Sequence, residues 1–134
     1  MKILLTHVDF IEYKPERKEI EIAEDVPQIT QKIENAVVAF TAVEREDNEE
    51  KVHIAVEEIK KSIKNLGVKR VVLYPFAHLS NNLKRPKEAL VLLKLLERKL
   101  RENDLETFRA PFGWCKSLHI KVKGHPLAEQ LKVI

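Results

Sequence analysis

Two short stretches hold the side chains best suited to chemistry: YPFAHLSNN, residues 74–82, and WCKSLHIKVKGHPLAE, residues 114–129. In the first, an apolar run ends at Pro75, and His78, Ser80, Asn81 and Asn82 follow at once. Side chains and backbone N–H groups converge where a strand gives way to a loop, which is where α/β scaffolds meet ligands. Ser80 is equally well explained as a cap for the next helix; His78 is not. In the second stretch Lys116 interrupts an apolar segment, and Gly124 turns the chain ahead of His125 and Glu129. A lysine in a strand is commonly an outward, solvated residue. Spacing alone leaves that reading level with a lysine aimed at a substrate.

Other chemistries find less support. His7, His53, His78, His119 and His125 form no His-x-x-x-His or Cys-x-x-Cys arrangement, so no metal is expected. His53 falls on a solvated helix side, and His119 alternates with Leu118 and Ile120 as a half-buried strand residue. Cys115 lacks an obvious partnering base and reads as a small strand residue rather than an activated thiol. Gly-x-x-x-x-Gly-Lys, Gly-x-Gly-x-x-Gly and Gly-x-Ser-x-Gly are absent. Nucleotide hydrolysis, dinucleotide redox chemistry and serine-esterase chemistry therefore have no motif behind them.

The elements that must position these residues are legible in outline. Residues 2–8 are apolar and strand-like, and 10–22 alternate around KPERK, predicting a β-hairpin. Residues 23–34 are polar and predict a connection; Ala36 to Val43 predicts a buried strand. Asp47 with Glu50 reads as a capping pair, and Gly67 as the stop, for a helix with Val52, Ala55, Val56, Ile59, Ile63 and Leu66 on one face. Lys69 to Tyr74 predicts a strand, and Pro86 starts a second helix whose leucines at 92, 93, 95, 96 and 100 turn inward. Leu105 to Ala110 and Trp114 to Val122 predict two antiparallel strands around the turn PFG. The expected whole is a single α/β or α+β domain, residues 1–134, with a mixed sheet.

Composition sets the surroundings. With 134 residues, 44% hydrophobic and 34% charged, the chain can bury a core without metal or disulfide. One cysteine, Cys115, fits a reducing compartment. The start, MKILLTHVDF, is too short an apolar run for a secretory signal. The leucine-rich stretch 89–100 is broken by Lys94, Glu97, Arg98 and Lys99, so no membrane is expected and the setting reads as cytoplasmic. Residues 1–67 carry 10 basic and 15 acidic residues, net −5; residues 68–134 carry 14 and 6, net +8. That asymmetry suits a phosphate-facing side, although an intramolecular or dimer contact uses the same asymmetry.

MKILLTHVDFIEY, AVVAFTAVE, KRVVLYPFAHLS and RAPFGWCKSLHIKVKGHPLAE, in this order, resemble the N-terminal editing domain of archaeal-type threonyl-tRNA synthetases over nearly the whole chain. The resemblance implies a fold like the D-aminoacyl-tRNA deacylases, a mixed sheet forming a partial barrel with two main helices, and a homodimer. It implies proofreading: hydrolysis of L-seryl-tRNA(Thr) at the ester to the terminal adenosine, without a cofactor. The partners implied are the serine-carrying 3′ end of tRNA(Thr) and a synthetase catalytic domain, in cis or in trans.

Residue by residue, Pro75, Phe76, Ala77 and His78 match the loop that holds the terminal adenosine and seryl group. Lys116 matches the strand lysine beside the reacting ester and its water, and Glu129 the acidic residue reaching the same pocket; with His78 these are the catalytic candidates. His7, Val38, Ala39 and Phe40 match segments bordering the pocket. Cys115 departs from the family, where tyrosine is frequent at that position. The chemistry is coherent, because an aminoacyl ester is already activated and needs a placed water and a stabilised oxyanion rather than a covalent nucleophile. Lys116 and the N–H groups of residues 76–78 are expected to stabilise the oxyanion, and Glu129 to orient the lysine or bind the seryl amino group. A D-aminoacyl-tRNA deacylase and a non-catalytic tRNA-binding appendage are the alternatives.

Overall fold

A computed structural model describes all residues from Met1 to Ile134. Six strands, β1 (Lys2–Lys18), β2 (Gln31–Ala42), β3 (Arg70–Pro75), β4 (Glu106–Arg109), β5 (Trp114–Val122) and β6 (Glu129–Val133), form one mixed sheet. Helices α1 (Glu49–Leu66) and α2 (Pro86–Glu102) link β2 to β3 and β3 to β4, and both links join parallel neighbours. A parallel return needs a crossover, and an amphipathic helix supplies it. Both helices pack on one sheet face, where Val52, Ile59, Leu93, Leu96 and Leu100 meet Ile3, Leu5, Val37, Ala39, Val71 and Leu73.

The opposite face carries no helix, yet Val38 and Val72 are fully buried and Phe40 and Tyr74 nearly so. The sheet covers them itself: Phe108 from β4 and Ile120 and Val122 from β5 close over that face. Curling of this kind requires bent strands, and β1 bends at two register irregularities against β5, between Val8 and Phe10 and between Pro15 and Arg17. Opposite the first, the β1–β2 ladder also breaks, passing from Val8↔Ala36 to Phe10↔Glu34, and Asn35 takes a left-handed φ of 49°. Parity flips in both strands at that point. Val8 and then Ile11, Ala36 and then Ile33, therefore stay on one face. This curled sheet with two helices is the architecture the resemblance implied.

Three sequence expectations are corrected. KPERK makes no hairpin: β1 runs on to Lys18 because β5 pairs with it as far as Lys18↔Trp114. The chain turns only at residues 20–22, and β2 begins at Gln31 rather than Ala36. Second, β4 and β5 do not pair around PFG, since the α2 crossover lays β4 parallel to β3 while β5 crosses to β1. Third, the cap of α1 is Asn48, whose side chain accepts from the Lys51 N–H at 3.0 Å; Asp47 is engaged elsewhere. Gly67 ends α1 at φ 68°, as its position suggested. The short β6 was not anticipated.

Candidate functional site

Parallel strands β2 and β3 end side by side, and just beyond them the chain opens into a cavity of about 610 Å³. One wall is Tyr74 to His78 with Thr41 and Val43 behind; another is Phe112 to Lys116; α2 closes the base through Ala89 and Leu93. The volume suits a small organic group such as a nucleoside. After Pro75 the chain makes a single 3-10 turn, Ala77–Leu79. The Phe76 N–H is tied to the Thr41 carbonyl at 2.8 Å, whereas those of Ala77 and His78 donate to nothing within the chain. Phe76 packs between Phe40 and the His78 ring, with ring centroids at 5.3 and 5.1 Å.

Lys116 enters from β5. Its Nζ donates to the carbonyls of Pro111 (3.0 Å) and Trp114 (3.2 Å) and lies 4.9 Å over the Tyr74 ring. Burial pulls this amine below the usual lysine value, with Glu19, Cys115 and Glu24 opposing. Tyr74 is pushed up to about 12, by burial first and by Tyr13 second, so its phenol stays neutral beneath the lysine.

A clamp holds this wall in place. Glu24 accepts from the Phe112 N–H at 2.9 Å and from Arg109, which also donates to Glu97 at 2.9 Å. Burial works against the Glu24 charge, but hydrogen bonds from Arg109 and the Phe112 N–H outweigh it and keep the carboxyl below its ordinary range. The Trp114 indole N–H donates to the Glu24 carbonyl at 2.7 Å.

Gly113 is the tight point of the clamp. Its φ is 84°, and a Cβ there would lie 2.8 Å from the Ala23 Cα, a backbone atom with little freedom to move. Gly113→Ala is therefore expected to cost about 2 kcal/mol or more in urea unfolding, from left-handed strain plus overpacking. A cost below about 0.5 kcal/mol would show that the 19–24 turn yields easily.

The cavity brings together Pro75, Phe76, Ala77, His78, Cys115 and Lys116. Phe40 lies beneath it, against Tyr74 and Phe76. Val38 and Ala39 are fully buried, one on each face of β2, and do not reach it. Glu129 and His7 are corrected more strongly. Glu129 pairs with Thr6 and Lys116 with Pro15, nine residues apart on β1, about 30 Å at strand rise. Within one chain Glu129 does not reach Lys116.

His7 sits at the same distant end. The Leu127 N–H donates to His125 Nδ1 (3.2 Å), so a neutral His125 carries its proton on Nε2, 2.8 Å from His7 Nδ1. Burial first, then His125 and Lys123, holds His7 below the usual histidine value despite Asp9. The pair pins the turn before β6 to β1.

The carboxylate that does line the cavity is Glu19, whose N–H is tied to the Gly113 carbonyl at 2.8 Å. Sequence offered no sign of it, nor of Thr41, Phe112 and Lys84, which join the lining only through the sheet order. Ser80 faces away: its hydroxyl donates to Glu44 and accepts from the Asn82 N–H within its own turn, and it does not cap α2, whose cap position is Arg85. No three histidine, cysteine or acidic side chains come together as a ligand set. No helix is long and apolar enough to cross a membrane.

Comparison with known proteins follows the same contours. The family model described as the archaea-specific editing domain of threonyl-tRNA synthetase matches residues 1–134. The chain is 48% identical over 136 residues to the threonine–tRNA ligase of Nitrosopumilus maritimus and 45% over 132 residues to that of Methanocaldococcus jannaschii, covering 100% and 96% of this chain. It spans 21% of the length of each. Among solved structures, the c-Myc DNA unwinding element binding protein superposes with a TM-score of 0.76 over 100% of this chain and 99% of its own. At 11% identity that likeness concerns the fold alone.

Proposed function

The chain belongs to the archaea-specific editing-domain family of threonyl-tRNA synthetases, and on that premise we propose that it hydrolyses L-seryl-tRNA(Thr), working beside a synthetase catalytic domain in cis or in trans. The observation that carries the reading is one cavity lined by Lys116 and by Ala77 and His78, whose N–H groups are free of partners within the chain. These donors suit the oxygen that gains charge as water adds to the ester carbonyl.

In this reaction the water oxygen bonds to the carbonyl carbon and the bond to the ribose 3′ oxygen breaks. A water proton ends on that oxygen, passed on with help from the neighbouring 2′-hydroxyl. Free serine and an intact 3′ end result. Phe76 and His78 hold the terminal adenosine. Lys116 keeps its carbonyl partners while turning one proton toward the oxyanion. Glu19, as the cavity's carboxylate, takes over the role expected of Glu129, orienting the lysine or binding the seryl amino group.

A homodimer suits the outer surface. Leu131 and Val133 of β6 are 58% and 68% exposed, next to half-buried Leu4 on the helix-free face, and Glu129 begins the same strand. Sedimentation at the mass of a single chain at micromolar concentration would exclude it.

The decisive assay follows serine release from seryl-tRNA(Thr), with threonyl-tRNA(Thr) and D-aminoacyl-tRNAs alongside. Fast release from the seryl substrate alone is expected. The missing methyl of serine is worth only about 1–3 kcal/mol, so selectivity against threonine should rest partly on displacing or admitting the attacking water. Preference for D-aminoacyl esters would reassign the specificity. Binding of an uncleavable seryl-adenosine analogue without turnover would leave a tRNA-binding appendage.

A further inference from the structure

We propose that Arg85 and Lys87, supported by Lys84 and Arg45, form a docking rim for the phosphates of the strand leading to the esterified terminal nucleoside. The proposal rests on the editing reading and names where that substrate lies outside the cavity. Lys84 and Pro86 line the cavity, and the exposed Arg85 and Lys87 are their immediate chain neighbours. Arg45 joins them through two bonds: its N–H donates to the Asn82 carbonyl (3.1 Å) and its own carbonyl accepts from Lys84 Nζ (2.9 Å). The Lys84 N–H holds the segment to the Val43 carbonyl at 3.0 Å.

What sets these cations apart is unspent charge beside the cavity lining, which Lys84 itself joins. No carboxylate lies within ion-pairing distance of Arg45, Lys84, Arg85 or Lys87, although Glu46 and Glu88 are their sequence neighbours. The arginines of the hollow beside the residue 26–35 segment contrast with them. There Arg70 is paired with Glu106, Arg101 with Glu97, and Arg109 with Glu24 and Glu97. An exposed, unpaired cation set at a cavity mouth favours a polyanion that continues outward from the cavity. A nucleic-acid 3′ end has that form, with an uncharged nucleoside last and phosphodiesters before it. Glu19 occupies the Gly113 wall rather than the Lys84 wall, so the mouth is electrostatically uneven and the strand should leave on the Arg85 side.

A rival basic surface serves as the control. Lys61 and Lys64, near the C-terminal end of α1, are also exposed and unpaired. They border a hollow at the start of β3, whereas the cavity opens at its end, about 20 Å away along the strand.

The test compares seryl-tRNA(Thr) with the seryl ester of adenosine, which has the same reacting bond and no phosphates. R85E/K87E should lower kcat/KM for seryl-tRNA by at least about tenfold and leave the adenosine ester unchanged. The dependence of log kcat/KM on log salt should flatten by roughly 0.7 for each cation removed. The neutral R85Q/K87Q should show a smaller loss in the same direction, which keeps the test intact if the charge reversal fails to fold. K61E/K64E, an equal change in net charge, should alter neither substrate. Equal losses on both substrates, no loss on seryl-tRNA, or an equal effect of K61E/K64E would each overturn the docking rim. If the unaltered chain hydrolyses neither substrate, the editing reading itself fails.

Discussion

Lys116→Met should lower kcat for serine release from seryl-tRNA by about 10²–10³-fold, the usual cost of deleting one oxyanion donor. Methionine keeps most of the side chain's length, so packing over Tyr74 survives while the cation and its protons go. Folding should lose about 1–3 kcal/mol, because the carbonyls of Pro111 and Trp114 lose their donor while removal of a poorly solvated charge offsets part of that cost. A melting curve alongside the kinetics separates the two effects. Cys115→Ala, in the same cavity wall, should stay near wild type, because no hydrogen bond or base activates that thiol. Matching rates for the two variants would remove Lys116 from the mechanism.

The pH profile sharpens this expectation. If the charged amine stabilises the oxyanion, activity falls as pH rises through the lowered lysine value, earlier than an ordinary lysine would allow. If the neutral amine served as a general base, activity would rise over that interval. Rates corrected for spontaneous ester hydrolysis decide between them.

The local features of the fold were legible and the long-range ones were not. Gly67 and Pro86 mark helix boundaries through φ freedom and a missing N–H, which act within a turn. The faces of α1 and α2 follow from a period of 3.6 residues. By contrast, KPERK has turn composition but is held extended by β5, about a hundred residues later. Whether Ile11 and Ile33 face the curled side depends on the paired irregularity at Asp9 and Asn35, which no alternation rule contains.

The site divides in the same way. The loop at 74–82 announced itself by polar residues after an apolar strand, and Lys116 by a charge inside one. Their meeting depends on β3 and β5 lying on opposite sides of β1 and β2 in a sheet that curls. Glu19 was invisible for that reason. Glu129 was placed in the pocket by family likeness, yet pairing with Thr6 carries it to the other end of β1.

Asp47→Ala should destabilise the chain by about 3–5 kcal/mol, far more than its sequence role as a helix cap implies. The Met1 ammonium is wholly buried and bonds Asp47 Oδ1 at 2.7 Å, with the Ile134 carbonyl at 3.3 Å and Glu44 Oε1 at 3.1 Å. The other Asp47 oxygen accepts from the Glu44 N–H at 2.6 Å. Alanine would strip a buried cation of its best-desolvated partner and orphan an N–H donor at once. Glu44 compensates poorly, since it is more exposed and already accepts from Ser80. Asn48→Ala, which removes the real cap, should cost only about 1 kcal/mol. Urea unfolding of the two variants with unchanged m values makes the comparison. If Asp47→Ala cost no more than Asn48→Ala, the ammonium would have found water on losing its partner, and the β1 end of the sheet would be looser than its burial implies.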